Sequence, residues 1–128
     1  MLTKILIYAV GILGALGVAC GAFGAHFMEG RVLPENIEIW QTAVMYQFFH
    51  VIPLALVAFG CLKYKRAAWL QRVGILFVIG IVLFSGSLYL IVASGVKIFG
   101  IITPFGGLSF IAGWLCLIPA LNEIRKLE

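Results

Sequence analysis

Residues 5–28, ILIYAVGILGALGVACGAFGAHFM, contain no Lys, Arg, Asp or Glu. A helix crosses the hydrocarbon core of a bilayer with about 20 predominantly apolar residues, so this run is long enough to span a membrane. Gly17, Gly21 and Ala25 recur every four residues and therefore share one helix face. Small residues at this spacing let a second helix approach closely. The run predicts a tightly packed transmembrane helix, which we expect to be central in the fold.

Two other interpretations of residues 14–27 are weaker. A phosphate-binding glycine loop needs a preceding strand and a Gly-Lys-Ser/Thr sequence, and this stretch has neither. A lipoprotein signal peptide would be cleaved before Cys20, but Gly17 occupies the position where such sites favour an aliphatic residue. The apolar run also continues to Met28, beyond the roughly 7–15 residues of a signal-peptide core. We therefore expect the segment to remain as a membrane helix.

Three more runs lack charged residues, at 39–62, 73–96 and 98–122. The chain is 63% hydrophobic and 11% charged, whereas a soluble domain is about 25% charged. Backbone polar groups in lipid must form their hydrogen bonds within the protein, which favours helices. The sequence therefore predicts an all-α integral membrane protein with four transmembrane helices in an antiparallel bundle.

We expect one membrane domain covering residues 1–128. Its four spans are expected at about residues 4–27, 40–62, 71–94 and 104–122. The second helix is expected to begin near Pro34, because proline suits the first turn of a helix, and to kink at Pro53. The first and third helices, rich in Gly and Ser, are expected to form the tightest seam of the bundle.

Basic residues indicate the orientation in the membrane. Lys4, the loop 63–72 and the tail 125–126 lie on one side of a four-span protein and hold seven of the nine Lys and Arg residues. The positive-inside rule places this side, with both termini, in the cytoplasm. Because topology explains the positive charge, we expect no nucleic-acid partner.

The loop KYKRAAWLQR also suggests a contact with anionic lipid head groups, at about 1 kcal/mol per basic residue. The residues expected to make this contact are Lys63, Lys65, Arg66 and Arg72.

Polar side chains of all four predicted helices are expected to meet in the outer half of the membrane. The candidate polar layer consists of His26, Tyr46, Gln47, His50, Ser85, Ser87 and Tyr89. Polar groups in hydrocarbon need partners, so these side chains are expected to face the bundle interior. Two interpretations stay open: hydrogen bonds that hold the helices together, or a ligand site centred on His50.

Residue patterns for chemistry are sparse. A site at His50 would accept a proton, ligate a metal or haem, or bind a quinone carbonyl, but no carboxylate lies within the charge-free runs to complete a proton relay. The three cysteines are scattered, without C-x-x-C or H-x-x-x-H spacing. No nucleophile, base and acid set is evident. We therefore expect no catalytic residue, no metal, no cofactor and no enzymatic activity.

Four motifs in order carry a family resemblance: GAFGAHF at 21–27, WQTAVMYQFFH at 40–50, FSGSLYL at 84–90 and TPFGGLSFIAGW at 103–114. With them the chain resembles the YgdD-like family of small membrane proteins, domain of unknown function 423. Phe27 departs from this family's usual glycine. The resemblance covers nearly the whole chain and implies a four-helix protein of the bacterial inner membrane. It implies no catalytic residues, because the family has no agreed activity.

Three functions are compatible with these observations. The first is a non-enzymatic membrane protein that supports envelope integrity or serves as an accessory subunit. The second is a binding module for a lipid or hydrophobic small molecule at the polar layer. The third is a minimal transporter of protons or small solutes. We expect membrane lipid as a partner, together with further copies of the chain or another membrane protein.

Overall fold

The computed structural model describes residues 1–28 and 30–127, and the side chains of residues 25 and 27 lie outside this description. The fold contains four long helices: α1 (Leu2–Phe27), α2 (Pro34–Lys63), α3 (Ala68–Ser94) and α4 (Thr103–Leu127). A 3₁₀ helix, Lys97–Ile101, connects α3 to α4. Four helices are long and apolar enough to cross a membrane, and the described residues include no strand. The predicted four-helix membrane fold is confirmed.

The exterior of this bundle is apolar. Leu56 and Phe59 are each 70% exposed, whereas Leu54 and Phe77 in the core are fully buried. A water-soluble protein rarely shows apolar patches larger than a few hundred Å². In a bilayer the same surface is solvated by lipid chains, so the exposed residues match the hydrocarbon environment.

Helix termini follow local sequence signals. As expected, α2 begins at Pro34, and it continues without interruption through Pro53. Gly95 ends α3 in the left-handed conformation, with φ of 72°, and its N–H donates to the Ile91 carbonyl. Glycine adopts this conformation without the steric penalty that a Cβ imposes.

The start of α3 depends on the end of α4. The preceding residue, Ala67, has no side chain that could cap the helix. Instead, the Glu123 carboxylate accepts hydrogen bonds from the backbone N–H groups of Ala68, at 3.1 Å, and Trp69, at 2.8 Å. A carboxylate here satisfies free donors and matches the positive end of the helix dipole. Glu123 thus ties the two helices together at the basic end of the bundle.

Packing within the bundle centres on α3, which lies against both α2 and α4, while α1 packs mainly against α2. The expectations that α1 is central and that α1 and α3 form the tightest seam are therefore wrong. Leu6 of α1 does reach α3, where a Cβ added at Gly74 would lie 2.7 Å from its Cδ1. Most of the remaining surface of α1 faces outward.

The tightest seam joins α3 and α4 through glycines on both helices. Gly80 of α3 leaves room for the Phe110 ring, and Gly113 of α4 leaves room for the Phe77 ring. Gly106 lies directly on the backbone of Phe84, so an added Cβ would overlap that backbone. Gly80 of α3 therefore faces α4, whereas Gly74 of α3 faces Leu6 of α1.

Gly106→Ala is expected to destabilise the protein, because the new methyl group meets a backbone that cannot rotate away. The expected loss is about 1–3 kcal/mol in free energy of unfolding, as for other overpacked sites. The neighbouring Gly107→Ala is the matched control, since its Cβ would lie 3.9 Å from the Phe84 ring, an ordinary contact. Thermal unfolding in nanodiscs measures both; equal stability of the two variants would contradict this seam.

Candidate functional site

Gln47 joins three helices from its position on α2. Its side chain is 2% exposed. Its Nε2 donates to the Leu13 carbonyl of α1 at 2.6 Å, and its Oε1 accepts from the Tyr89 hydroxyl of α3 at 2.8 Å. A buried amide must satisfy both of its polar ends, and Gln47 does so with two different neighbours.

Gly17 makes the bond to α1 sterically possible. It lies one turn after Leu13, and a Cβ at this position would lie 3.2 Å from Gln47 Nε2 and 3.0 Å from the Phe48 ring. Such a methyl group would crowd the amide away from the Leu13 carbonyl. Gly21, the next of the predicted small residues, faces Val44, also on α2. Ala25, the third, has its side chain outside the described residues.

Trp40 repeats this arrangement one heptad away, seven residues before Gln47 on α2 and opposite a carbonyl seven residues after Leu13 on α1. Its indole N–H donates to the Cys20 carbonyl of α1 at 2.7 Å. Gly24 lies one turn after Cys20, and a Cβ there would lie 2.7 Å from the indole nitrogen. The α1–α2 contact thus consists of side chains on α2 that donate to carbonyls of α1 over glycine gaps. Small residues and interhelical hydrogen bonds are the usual means of helix association in lipid.

His50 has partners at both ring nitrogens. The indole N–H of Trp114, on α4, lies 3.1 Å from His50 Nε2. An indole N–H only donates, so Nε2 is the acceptor and the imidazole proton resides on Nδ1. Nδ1 then donates to the carbonyl of Tyr46, one turn earlier, at 2.8 Å. This geometry defines a neutral imidazole in one tautomer.

Aromatic rings surround the His50 imidazole. The Phe110 ring stacks on it with a centroid distance of 3.5 Å and an interplanar angle of 10°, and the Phe77 ring meets it edge-on at 5.5 Å. The Tyr46 ring continues this cluster by contacting Phe84 at 4.4 Å. His50 is only 5% exposed. In this arrangement His50 has no lone pair left for a metal or a ligand.

Two serines connect α3 and α4. The Ser87 hydroxyl donates to the Phe84 carbonyl at 2.9 Å, and its oxygen accepts a hydrogen bond from the Thr103 hydroxyl at 2.7 Å. Ser109 of α4 donates to the Leu76 carbonyl of α3 at 2.8 Å. These bonds reinforce the seam that the glycines form.

The predicted polar layer is therefore divided into separate groups. Gln47 bonds to Tyr89 of α3, whereas His50 bonds to Trp114 of α4 and to the Tyr46 carbonyl of its own helix. Ser87 bonds to Thr103 instead. His26 is exposed in the last turn of α1, about 20 Å along the helix from Leu13 at 1.5 Å per residue. It does not join the hydrogen-bonded groups.

Ser85 differs from the other polar residues. It is fully buried, and its hydroxyl oxygen has no hydrogen-bond partner among the residues that the structure describes. It lines a groove between α1 and α3 whose floor includes Trp40 and Gln47. The volume of this groove is about 360 Å³, within the range of small-molecule sites.

Basic residues of the α2–α3 connection lie at the opposite end of the bundle. The Lys63 ammonium lies 4.8 Å from the centre of the Tyr64 ring, and the Arg72 guanidinium lies 4.4 Å from that of Trp69. Lys65 and Arg66 are exposed in the turn between the helices. This end of the bundle therefore presents cationic groups next to aromatic rings.

Several functional partners were missed by sequence reasoning. The sequence did not identify Trp114 as the hydrogen-bond donor to His50, and its ring is 47% exposed. Nor did it identify Trp40, whose buried ring donates to the Cys20 carbonyl of α1. Glu123 carried no recognisable signal, because its partners are backbone groups of a distant helix.

Part of the chain matches a known protein family. Residues 20–107 match the family described as "Protein of unknown function (DUF423)". This range includes Gln47, His50 and Tyr89. The chain belongs to this family. The resemblance found from the four motifs is thereby confirmed.

Three relatives extend the similarity over most of the chain. The chain is 39% identical to UPF0382 membrane protein YwdK of Bacillus subtilis over 91% of its own length and 95% of the relative's. It is 44% identical to UPF0382 membrane protein SH2409 of Staphylococcus haemolyticus over 84% of its own length and 89% of the relative's. It is 34% identical to UPF0382 inner membrane protein YgdD of Escherichia coli K12 over 98% of its own length and 96% of the relative's. No solved structure matches significantly. The chain is a multi-pass membrane protein.

A double-mutant cycle tests the bond between Gln47 and Tyr89. Gln47→Leu, Tyr89→Phe and the double variant are compared by their free energies of unfolding in bilayers. The expected coupling is about 0.6 kcal/mol and below about 1.7, as for interhelical hydrogen bonds in another membrane protein. Gln47→Leu combined with Ser109→Ala is the control, because these residues share no partner, and additivity within about 0.5 kcal/mol is expected. Zero coupling between Gln47 and Tyr89 would contradict the bridge.

The tautomer of His50 gives a second test. Nitrogen NMR of the protein labelled at histidine is expected to show a neutral His50 ring with the proton on Nδ1, because Trp114 donates to Nε2. The His50 signal is the one that disappears in His50→Leu, which distinguishes it from the signal of the exposed His26. Trp114→Phe is expected to shift the Nε2 resonance, since that nitrogen loses its donor. A proton on Nε2 in the unaltered protein would rule out this hydrogen bond.

Proposed function

We propose that the chain is a non-enzymatic protein of a bacterial inner membrane that supports membrane integrity or serves as an accessory subunit. The observation that carries this proposal is the use of polar side chains as links between helices. The Gln47 and Trp40 side chains donate to carbonyls of α1, and the His50 ring accepts a hydrogen bond from Trp114 of α4. Groups engaged in this way are suited to assembly rather than to turnover of a substrate.

The orientation belongs to the same proposal. Both termini lie in the cytoplasm, and the basic turn after α2 contacts anionic lipid head groups there. The exposure of Lys65 and Arg66 supports this contact. Lys63 and Arg72, beside their aromatic rings, match an interface where such rings and cations are enriched. The name of the Escherichia coli relative, an inner membrane protein, supports the location.

Transport has less support from the geometry. A proton relay through His50 requires the Trp114 bond to Nε2 to break, since both ring nitrogens are engaged. The stacked Phe110 ring also covers one face of the imidazole. A relay of this kind would need a second conformation of α4 relative to α2.

A binding module is the second candidate, and the groove between α1 and α3 favours it. Its walls are apolar, yet the unpartnered hydroxyl of Ser85 lies among them. Native mass spectrometry from nanodiscs tests this candidate. A bound molecule of fixed mass at a fixed ratio would support it, and a bare protein mass with only loosely held lipid would reject it.

Complementation separates a structural role of His50 from an active-site role. Cells lacking the protein are supplied with the original chain, His50→Leu or His26→Leu, and the readouts are membrane permeability to an excluded dye and abundance of the protein in the membrane. We expect His50→Leu to lower abundance, because it breaks the link to Trp114, and overexpression of this variant to restore the permeability barrier. His26→Leu is the matched control and is expected to behave as the original.

The contrary outcome is equally specific. If His50→Leu accumulates to normal abundance and still fails to restore the barrier at any expression level, His50 performs a chemical role. The proposal of a non-enzymatic protein would then fail.

A further inference from the structure

The groove between α1 and α3 exists because these helices meet closely only near Leu6 and Gly74. Further along, Leu13 and Leu16 of α1 form one wall, and Val82 and Gly86 of α3 form the other. A second hollow of about 530 Å³ continues along α3 and shares Val82 and Gly86 with the groove. Together they form an apolar channel along the outside of α3.

Ser85 supplies the polar feature of this groove. The chain's other three serines, Ser87, Ser94 and Ser109, each have a hydrogen-bond partner. Ser85 has none, although its hydroxyl oxygen is buried. An unsatisfied buried hydroxyl is destabilising, so natural proteins retain few of them. Because the hydroxyl oxygen is covered in this structure, an oxygen atom of a bound molecule would satisfy it after the Ser85 side chain turns toward the groove.

Flat aromatic surfaces lie beside this hydroxyl. The rings of Trp40 and Tyr89 both line the groove, with centroids 4.6 Å apart and planes inclined by 59°. Gln47 also lines the groove, and one of its two amide hydrogens is committed to Leu13. A planar ring that enters the groove therefore finds aromatic faces for stacking and donors for a carbonyl oxygen.

The depth of Ser85 distinguishes between classes of lipid. Ile81 is the middle residue of α3, and Ser85 lies four residues beyond it, about 6 Å along the axis at 1.5 Å per residue. The polar groups of a phospholipid begin at the edge of the hydrocarbon, about 15 Å from its centre. An occupant that bonds to Ser85 therefore carries its oxygen inside the hydrocarbon.

The size of the groove matches a small molecule. Its volume is about 360 Å³, which lies within the range of small-molecule sites.

We propose that this groove binds a lipid-soluble quinone. Its ring lies against Trp40 and Tyr89, one carbonyl oxygen accepts the hydrogen bond of Ser85, and its apolar tail follows Val82 along α3. This assignment rests on the second candidate function, the binding module, and defines the chemistry of the ligand. The proposal concerns binding and includes no electron transfer.

A benzoquinone with a ten-carbon tail is the probe for this site. It is titrated into nanodiscs that contain the protein, and binding is followed by quenching of tryptophan fluorescence. We expect saturable binding of one probe per chain. Ser85→Ala is expected to weaken the affinity about three- to tenfold, the effect of one hydrogen bond. The same variant is expected to raise the melting temperature without probe, because the unsatisfied hydroxyl is gone.

Gly86→Leu and Gly11→Leu form the matched pair. A Cβ at either glycine meets nothing within 4 Å, so both variants are expected to fold. Gly86 lines the groove and Gly11 does not. Gly86→Leu is therefore expected to weaken binding at least tenfold, while Gly11→Leu keeps the affinity of the unaltered protein.

Three results would overturn the quinone assignment. The first is the absence of saturable binding. The second is equal affinity for decylbenzene, which has the tail and a ring but no carbonyl. The third is a change in oligomeric mass on Gly86→Leu without any quinone binding, which would make the groove an interface between copies. If native mass spectra meanwhile show another bound lipid, the binding module stands and only the ligand class is wrong.

Discussion

Hydrocarbon offers no hydrogen bonds, and this constraint determines how the four helices are joined. A polar side chain within the bilayer must find its partner in another part of the protein. Gln47 meets this requirement by bonding to α1 and α3 at once. His50 meets it through Trp114 of α4 and its own helix. The side chains of α2 thereby connect it to the other three helices, although α3 provides most of the packing.

Glycine and polar residues act together in this bundle. Gly17 and Gly24 keep the Leu13 and Cys20 carbonyls accessible, and Gln47 and Trp40 donate to those carbonyls. The glycines and the donors are both needed. A methyl group at either glycine would displace the donor, and an apolar side chain in place of the donor could not bond to the carbonyl. The Gln47 amide also links α1 to α3, through the Leu13 carbonyl and the hydroxyl end of the Tyr89 side chain. The groove that we assign to a quinone is therefore a consequence of the way in which α1 is attached.

Composition and charge pattern predicted the four helices, because the bilayer imposes length and polarity on every span. The start of α2 at Pro34 followed from local sequence. Local sequence did not predict which helices are neighbours, because Gly74 and Gly80 look equivalent in sequence and face different helices. The polar side chains form separate groups instead of one layer for the same reason, because the axial rise gives the height of a residue along a helix but not the direction of its side chain. Trp114 and Glu123 bond to residues more than 50 positions away, which local patterns do not reveal.

Solid-state NMR in a lipid bilayer can measure the contact on which this account depends. The protein is labelled with nitrogen-15 in glutamine side chains and carbon-13 in leucine carbonyls, and Gln47→Leu identifies the relevant signal. The account predicts a correlation between the Gln47 amide nitrogen and the Leu13 carbonyl, at the hydrogen-bonding distance of 2.6 Å between nitrogen and oxygen. An amide nitrogen of Gln47 bonded to water or to another helix, with no contact to Leu13, would contradict the attachment of α1 and the groove that follows from it.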